Sequence, residues 1–108
     1  MGGRKQFIHA CALSDIKLNQ THEVEVNGEE VLLANDNGTV YAVSPYCTHD
    51  GENLDAEEVV DHQIECPRHG ARFDVRTGEV TQMPAVFGIA SYPIKIEDGQ
   101  VYVEVDED

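Results

Sequence analysis

Apolar and polar residues alternate with a period of two along several short segments of the chain. The alternating apolar positions are Val24 and Val26, Tyr41 and Val43, Ile94 and Ile96, and Val101 and Val103. Most of these side chains are β-branched or aromatic, which suits a pleated, half-buried surface. Because no window of helical length repeats every 3.6 residues, the pattern predicts strands and at most one helical turn, over residues 14–16.

Glycine-containing dipeptides that favour turns separate these segments. They are Asn27-Gly28, Asn37-Gly38, Asp50-Gly51, Thr77-Gly78 and Asp98-Gly99. Asn-Gly and Asp-Gly favour two-residue hairpin turns because both residues tolerate a positive φ. We therefore predict hairpins at residues 27–28 and 98–99. The fold class that follows is all-β, a small antiparallel β-sandwich or partly open barrel.

The chain is long enough for one domain, and we expect that domain to span residues 1–108. The middle, from about residue 45 to residue 87, differs in composition from the rest. It contains three of the four prolines, which are Pro45, Pro67 and Pro84, together with closely spaced cysteines and histidines. We predict that this stretch is a smaller unit inserted into the β framework.

The charge balance excludes some classes of partner. Asp and Glu number 21 against 7 Lys and Arg, which gives a formal net charge of -14. A surface this acidic is unsuited to phosphate contacts, so we expect no binding to nucleic acid or to anionic membranes. No apolar run reaches the ~20 residues of a membrane helix. An odd cysteine count and the lack of an apolar signal segment predict a cytoplasmic protein.

Two short segments each pair a cysteine with a histidine and end in glycine. Cys47-Thr48-His49-Asp50-Gly51 is the first, and Cys66-Pro67-Arg68-His69-Gly70 is the second. Thiolate and imidazole ligands suit zinc or an iron–sulfur cluster and disfavour calcium or magnesium. Structural zinc sites more often use Cys-x2-4-Cys with His-x3-5-His. The residue types alone nevertheless leave both kinds of centre open.

The pattern Cys-x-His and Cys-x-x-His, continued as Cys-Pro-Arg-His-Gly-Ala-Arg-Phe-Asp, resembles the Rieske proteins over nearly the whole chain. The resemblance implies one 2Fe-2S cluster per chain, with one iron held by Cys47 and Cys66. The other, exposed iron would be held by His49 and His69. Gly78 and residues 83–86 resemble the family's turn and the proline loop that covers the cluster.

Four positions depart from the family's high-potential branch. Where that branch has a pair of bridged cysteines, this chain has Glu52 and Arg68. Where it has Ser and Tyr hydroxyls bonded to sulfur, this chain has Ala71 and Phe73. Donors to sulfur stabilise the reduced, more negative state, so their absence predicts a potential near the low end of the Rieske range, roughly −150 mV.

The resemblance implies a one-electron carrier of the low-potential ferredoxin type, and not a stand-alone enzyme. Its electron donor would be a ferredoxin reductase, and its acceptor a terminal oxygenase, above all an aromatic-ring-hydroxylating dioxygenase. Two alternatives remain, the electron-transfer small subunit of a nitrite reductase-like complex and a zinc-stabilised interaction module. Acidic residues near the ligand segments would steer basic partners, unless they reflect adaptation to salt.

The other candidate residues have simpler expected roles. We interpret Cys11 as a small buried thiol and His62 as a surface or strand histidine. We expect Tyr46, Phe73 and Phe87 to pack around the inserted unit.

Overall fold

A computed structural model describes residues 4–48, 51, 53–54, 58–68, 70–85 and 87–107. The strands are β1 (Arg4–Ala12), β2 (Thr21–Val26), β3 (Glu29–Asp36), β4 (Thr39–Val43), β5 (Gln63–Glu65), β6 (Arg72–Asp74), β7 (Val80–Gln82), β8 (Ser91–Tyr92), β9 (Ile94–Glu97) and β10 (Gln100–Glu107). A 3-10 turn over Leu13–Asp15 matches the predicted helical turn. The all-β prediction is confirmed. Within the described ranges, no helix has the length and apolar character needed to cross a membrane.

The strands form three antiparallel sheets. The first has the order β1-β10-β9, the second β2-β3-β4-β8, and the third β5-β6-β7. The third sheet is built from residues 63–82, inside the stretch predicted from composition to be an inserted unit. Chain order therefore places two sheets in the framework and one in the middle stretch.

Two-residue turns join three of the hairpins. At Asn27 and Gly28, φ is 54° and 84°, and this turn joins β2 to β3 with Val26 opposite Glu29. Residues 37–38 and 98–99 also have positive φ and join β3 to β4 and β9 to β10. A left-handed backbone at both turn residues matches the twist of the flanking strands. Both predicted hairpins are confirmed.

Strand β3 is buried on both of its faces. Val31 and Leu33 belong to a core shared with β1 and β10, whereas Leu32 and Ala34 belong to a second core shared with the third sheet. Neighbouring residues of a strand point to opposite faces, so one strand can supply both cores. This explains why β3 reads as a continuous apolar run, the pattern of a strand covered on two sides.

Two polar contacts attach the chain just before β5 to the β framework. The Nδ1 atom of His62 lies 2.5 Å from the Oδ2 atom of Asp36, whose carboxylate is buried. The amide of Val59 donates to the carbonyl of Asn19 over 3.0 Å. His62 therefore belongs to a contact between the framework and the middle stretch, a role its sequence position did not indicate.

We predict that Leu33→Ala causes a large loss of stability, because Leu33 lies in the core between the first and second sheets. Leu33 is fully buried between the first two sheets, and truncating such a side chain removes burial and leaves a cavity. We expect the free energy of unfolding, measured in urea, to fall by about 2–5 kcal/mol. The control is Leu18→Ala, since Leu18 is 63% exposed. Equal urea midpoints for the two variants would contradict the placement of this core.

Candidate metal centre

The structure brings two of the four predicted ligands into one apolar core. Cys47 follows β4 and is 2% exposed, and Cys66 follows β5 and is 0% exposed. Both belong to the core that contains Leu54 and Phe73. Cys11 lies in the other core, as expected for a buried thiol with no part in the centre. The other two predicted ligands, His49 and His69, lie outside the described residues.

The two cysteine segments close with the same backbone turn. The amide of Gly51 donates to the carbonyl of Cys47 over 2.8 Å, and the amide of Gly70 donates to that of Cys66 over 3.0 Å. The glycines have φ of 75° and 79°, a left-handed conformation that costs most other residues energy. The glycine that ends each motif is therefore required by the turn itself.

The base of each loop is held by backbone contacts. The second loop connects β5 to β6, and the amide of Cys66 donates to the carbonyl of Ala71 over 2.7 Å. The first loop is closed by a β-bridge between Tyr46 and Asn53. Tyr46 is 40% exposed and its hydroxyl donates to the Glu30 carboxylate, which raises the pKa of the phenol. The expectation that Tyr46 packs around the inserted unit is therefore only partly correct, because its hydroxyl is bonded to framework strand β3.

After β7 the chain contacts the first loop at Phe87 and the core of the two cysteines at Ala85. The Thr48 hydroxyl donates to the carbonyl of Phe87 over 2.6 Å, and Ala85 is buried in the core that contains the two cysteines. The expectation that Phe87 packs around the inserted unit is wrong for its ring, which is 72% exposed. Met83 is also exposed, at 75%. The backbone of Phe87 and the side chain of Ala85 therefore make the contacts here, and the larger side chains lie in solvent. Val86 lies outside the described residues.

Two glycines, Gly78 and Gly88, allow the backbone near Ile89 to pack closely against the turn after β6. The amide of Ile89 donates to the carbonyl of Gly78 over 2.7 Å. A Cβ atom at Gly78 would overlap the Ile89 carbonyl oxygen, and one at Gly88 would lie 2.5 Å from the Gly78 carbonyl oxygen. Gly88 was not singled out from the sequence, because its requirement comes from a tertiary contact and not from a turn dipeptide.

Two of the arginines near the second loop form ion pairs. Arg72 lies 3.2 Å from Glu65, and Arg76 bonds to both carboxylate oxygens of Asp74 at 3.0 and 2.8 Å. The hydrogen bonds from Arg76 lower the pKa of Asp74. Arg72 and Glu65 also line a groove of about 300 Å³, whose other charged residues are Glu58 and Asp61. Among the described residues, the groove is therefore mainly acidic, and both Arg72 and Arg76 are paired with carboxylates.

The described side chains fit a centre that takes soft ligands. Two thiols from matching loops lie in one apolar core, and thiolates are ligands for zinc and iron–sulfur clusters and not for calcium or magnesium. Within the described ranges, which omit His49 and His69, no group of three or more His, Cys, Asp or Glu side chains converges. Ala71 and Phe73 are buried in the same core and provide no hydroxyl to the sulfurs.

Comparison with known sequences assigns most of the chain to one family description. The description "Rieske [2Fe-2S] domain" matches residues 6–93. The ferredoxin component of the naphthalene 1,2-dioxygenase system of Pseudomonas putida is 37% identical over 100 residues, covering 93% of this chain and 96% of the relative.

Solved structures agree with this assignment. The ferredoxin of carbazole 1,9a-dioxygenase from Nocardioides aromaticivorans IC177 matches with a TM-score of 0.85 and 32% identity, covering 91% of this chain and 96% of that one. A chain in a complex of reduced oxygenase and oxidized ferredoxin in carbazole 1,9a-dioxygenase matches with a TM-score of 0.84 and 26% identity, covering 94% and 95%. A nitrite reductase small subunit from Mycobacterium tuberculosis, at 20% identity and a TM-score of 0.84 over 97% and 99%, shares the fold alone.

The close contact between Gly78 and the Ile89 carbonyl predicts that Gly78→Ala strongly destabilises the protein. The added methyl group would meet the Ile89 carbonyl, and φ at residue 78 is 85°. Overpacking and left-handed strain together should lower the free energy of unfolding by about 2–4 kcal/mol. The control is Gly38→Ala, with φ of 102° but no atom within 4 Å of the added carbon. Thermal unfolding of both variants measures the difference, and equal melting temperatures would contradict the contact.

Proposed function

The chain belongs to the Rieske [2Fe-2S] family, and we propose that it carries single electrons from a reductase to a terminal oxygenase, one that hydroxylates aromatic rings. The 2Fe-2S cluster of this family supplies a one-electron couple when bound. The observation that carries the proposal is the pair of buried cysteines on matching loops, in a chain similar over almost its whole length to dioxygenase ferredoxins.

We propose that Cys47 and Cys66 hold one iron and that His49 and His69 hold the other. The burial of both cysteines and the identical closure of their loops support this assignment. Neutral imidazoles make the site less negative than four thiolates would, so the reduction potential should lie above that of plant-type ferredoxins. The cluster-binding unit would then be the inserted stretch over about residues 45–87, within a single domain over 1–108.

We further propose that the protein is a cytoplasmic carrier with no catalytic role of its own. The acidic surface beside the second loop would favour partners with a basic face and would disfavour nucleic acid and anionic membranes. The exposed ring of Phe87 borders the first loop and would lie within the contact with a partner.

Electron delivery between purified components tests the function. The reductase of a ring-hydroxylating system should reduce the protein, and mixing the reduced protein with the terminal oxygenase should restore its oxidised absorbance at a catalytically competent rate. Reoxidation by a siroheme nitrite reductase, with none by the oxygenase, would contradict the proposal and favour the nitrite reductase alternative. A colourless zinc protein would favour the interaction module.

Hydroxyl groups placed beside the sulfurs should raise the reduction potential. In Ala71→Ser or Phe73→Tyr, a hydroxyl donor would enter the core that contains both cysteines and would stabilise the reduced state. A redox titration should show a shift from roughly −150 mV toward the upper part of the Rieske range. Ala34→Ser is the control, because it adds a hydroxyl to the same core from framework strand β3. Ala71, by contrast, is bonded through its carbonyl to the Cys66 amide, and Phe73 lies in β6 directly after the second loop. Unchanged potentials in cluster-containing variants would refute this explanation.

The acidic surface predicts that salt slows electron transfer to the partner. A net charge of -14 gives long-range attraction to a basic face, and salt screens that attraction over roughly 10 Å at 0.1 M. The second-order rate constant, measured by stopped flow, should fall steadily between low and high ionic strength. Rates that do not change with salt would instead favour a solvated acidic surface with no role in docking.

A further inference from the structure

Two hydrogen bonds attach the base of the first cysteine loop to the framework. The loop is closed by the Tyr46–Asn53 bridge, and the Leu54 amide donates to the Pro45 carbonyl over 2.7 Å just outside it. The Tyr46 hydroxyl donates to the carboxylate of Glu30. On the other side, the Nδ2 atom of Asn53 donates to Oε1 of Glu23 over 3.3 Å. Both residues of the bridge are thus bonded to glutamates.

The two glutamates lie on the sheet face that carries the core of the cysteines. Glu23 is directly opposite Leu32 in the β2–β3 register, and Glu30 is two residues from Leu32 on the same strand. Leu32 belongs to the core of Cys47 and Cys66. Residues opposite each other, or two apart on a strand, share a face. The β2–β3 hairpin therefore presents both carboxylates toward the loop that begins with Cys47.

We propose that Glu30 and Glu23 are positioning residues that hold the base of the first loop and thereby fix Cys47 for cluster binding. This inference rests on the proposed function, since it assumes that Cys47 is a ligand. Tyr46 immediately precedes Cys47, so a hydrogen bond that fixes the Tyr46 side chain restricts the backbone from which the thiol projects. The second loop is closed differently, because it directly connects the paired strands β5 and β6.

A neighbouring hydrogen bond of the same kind provides a matched control. The Tyr92 hydroxyl donates to Glu29 over 2.9 Å, and Tyr92 pairs with Ala42 in the framework sheet. Deleting this bond removes a tyrosine–glutamate contact that lies beside Tyr46 and Glu30 but includes neither. Glu25, which is exposed and lies opposite Glu30 in the register, serves as a second control for the loss of one negative charge.

The test measures how fast the purified, cluster-containing protein loses its visible absorbance in the presence of an iron chelator. Tyr46→Phe and Glu30→Ala should each accelerate the loss about three- to tenfold, the range expected for removing one hydrogen bond. The double variant should be no faster than either single variant, since both remove one bond. Glu30→Gln keeps an oxygen acceptor and should restore a rate near that of the unmodified protein.

The controls separate positioning from general stability and from charge. Tyr92→Phe and Glu25→Ala should lose absorbance at the unmodified rate, and circular dichroism should show that every variant is folded. Asn53→Ala should act in the same direction as Tyr46→Phe because it removes the contact with Glu23.

Several results would overturn the inference. Unchanged rates in Tyr46→Phe and Glu30→Ala, or fully additive effects in the double variant, would show that this bond does not hold the loop. Equal acceleration in Glu30→Gln and Glu30→Ala would mean that charge matters and not position. If the unmodified protein contained no iron and sulfide, the proposed function would fail instead, so the two failures are distinguishable.

Discussion

A buried thiolate is costly unless it has a ligand or a hydrogen-bond partner, and two buried cysteine side chains lie in one apolar core of this chain. A metal centre bound to both thiolates would neutralise their buried charge. It would also explain why both loops use the same glycine-closed turn. Ala71 and Phe73 line the same core and bring no hydroxyl to it, which is the basis of the proposed low reduction potential.

The burial of β3 on both faces connects this site to the rest of the molecule. Val31 and Leu33 pack against the first sheet, while Leu32 and Ala34 pack toward the cysteines, so the strand belongs to both cores. Polar contacts at each end of β3 reinforce the connection. Asp36 binds His62 before the second loop, and Glu30 binds Tyr46 before the first. Residues at the two ends of β3 thus contact the chain just before each cysteine loop.

Features set by local chemistry were predictable from the sequence. The Asn27-Gly28 turn needs only two residues that accept a positive φ, and the cysteine–histidine spacing needs only the family pattern. Features set by tertiary contacts were not predictable from the sequence. Gly88 is required by the carbonyl of Gly78, and no local signal joins His62 to Asp36. Phe87 contacts Thr48 through its carbonyl while its ring is exposed. The ligand roles of His49 and His69 stay predictions.

The most direct test of the account is pulsed EPR of the dithionite-reduced protein, combined with iron and acid-labile sulfide analysis of the same sample. The account predicts iron and sulfide in the 2Fe-2S ratio and hyperfine coupling to histidine nitrogen. Isotopic labelling with ¹⁵N-histidine should alter that coupling, because two of the ligands are proposed to be imidazoles. A sample that contains zinc without iron, or a cluster signal with no nitrogen coupling, would contradict it.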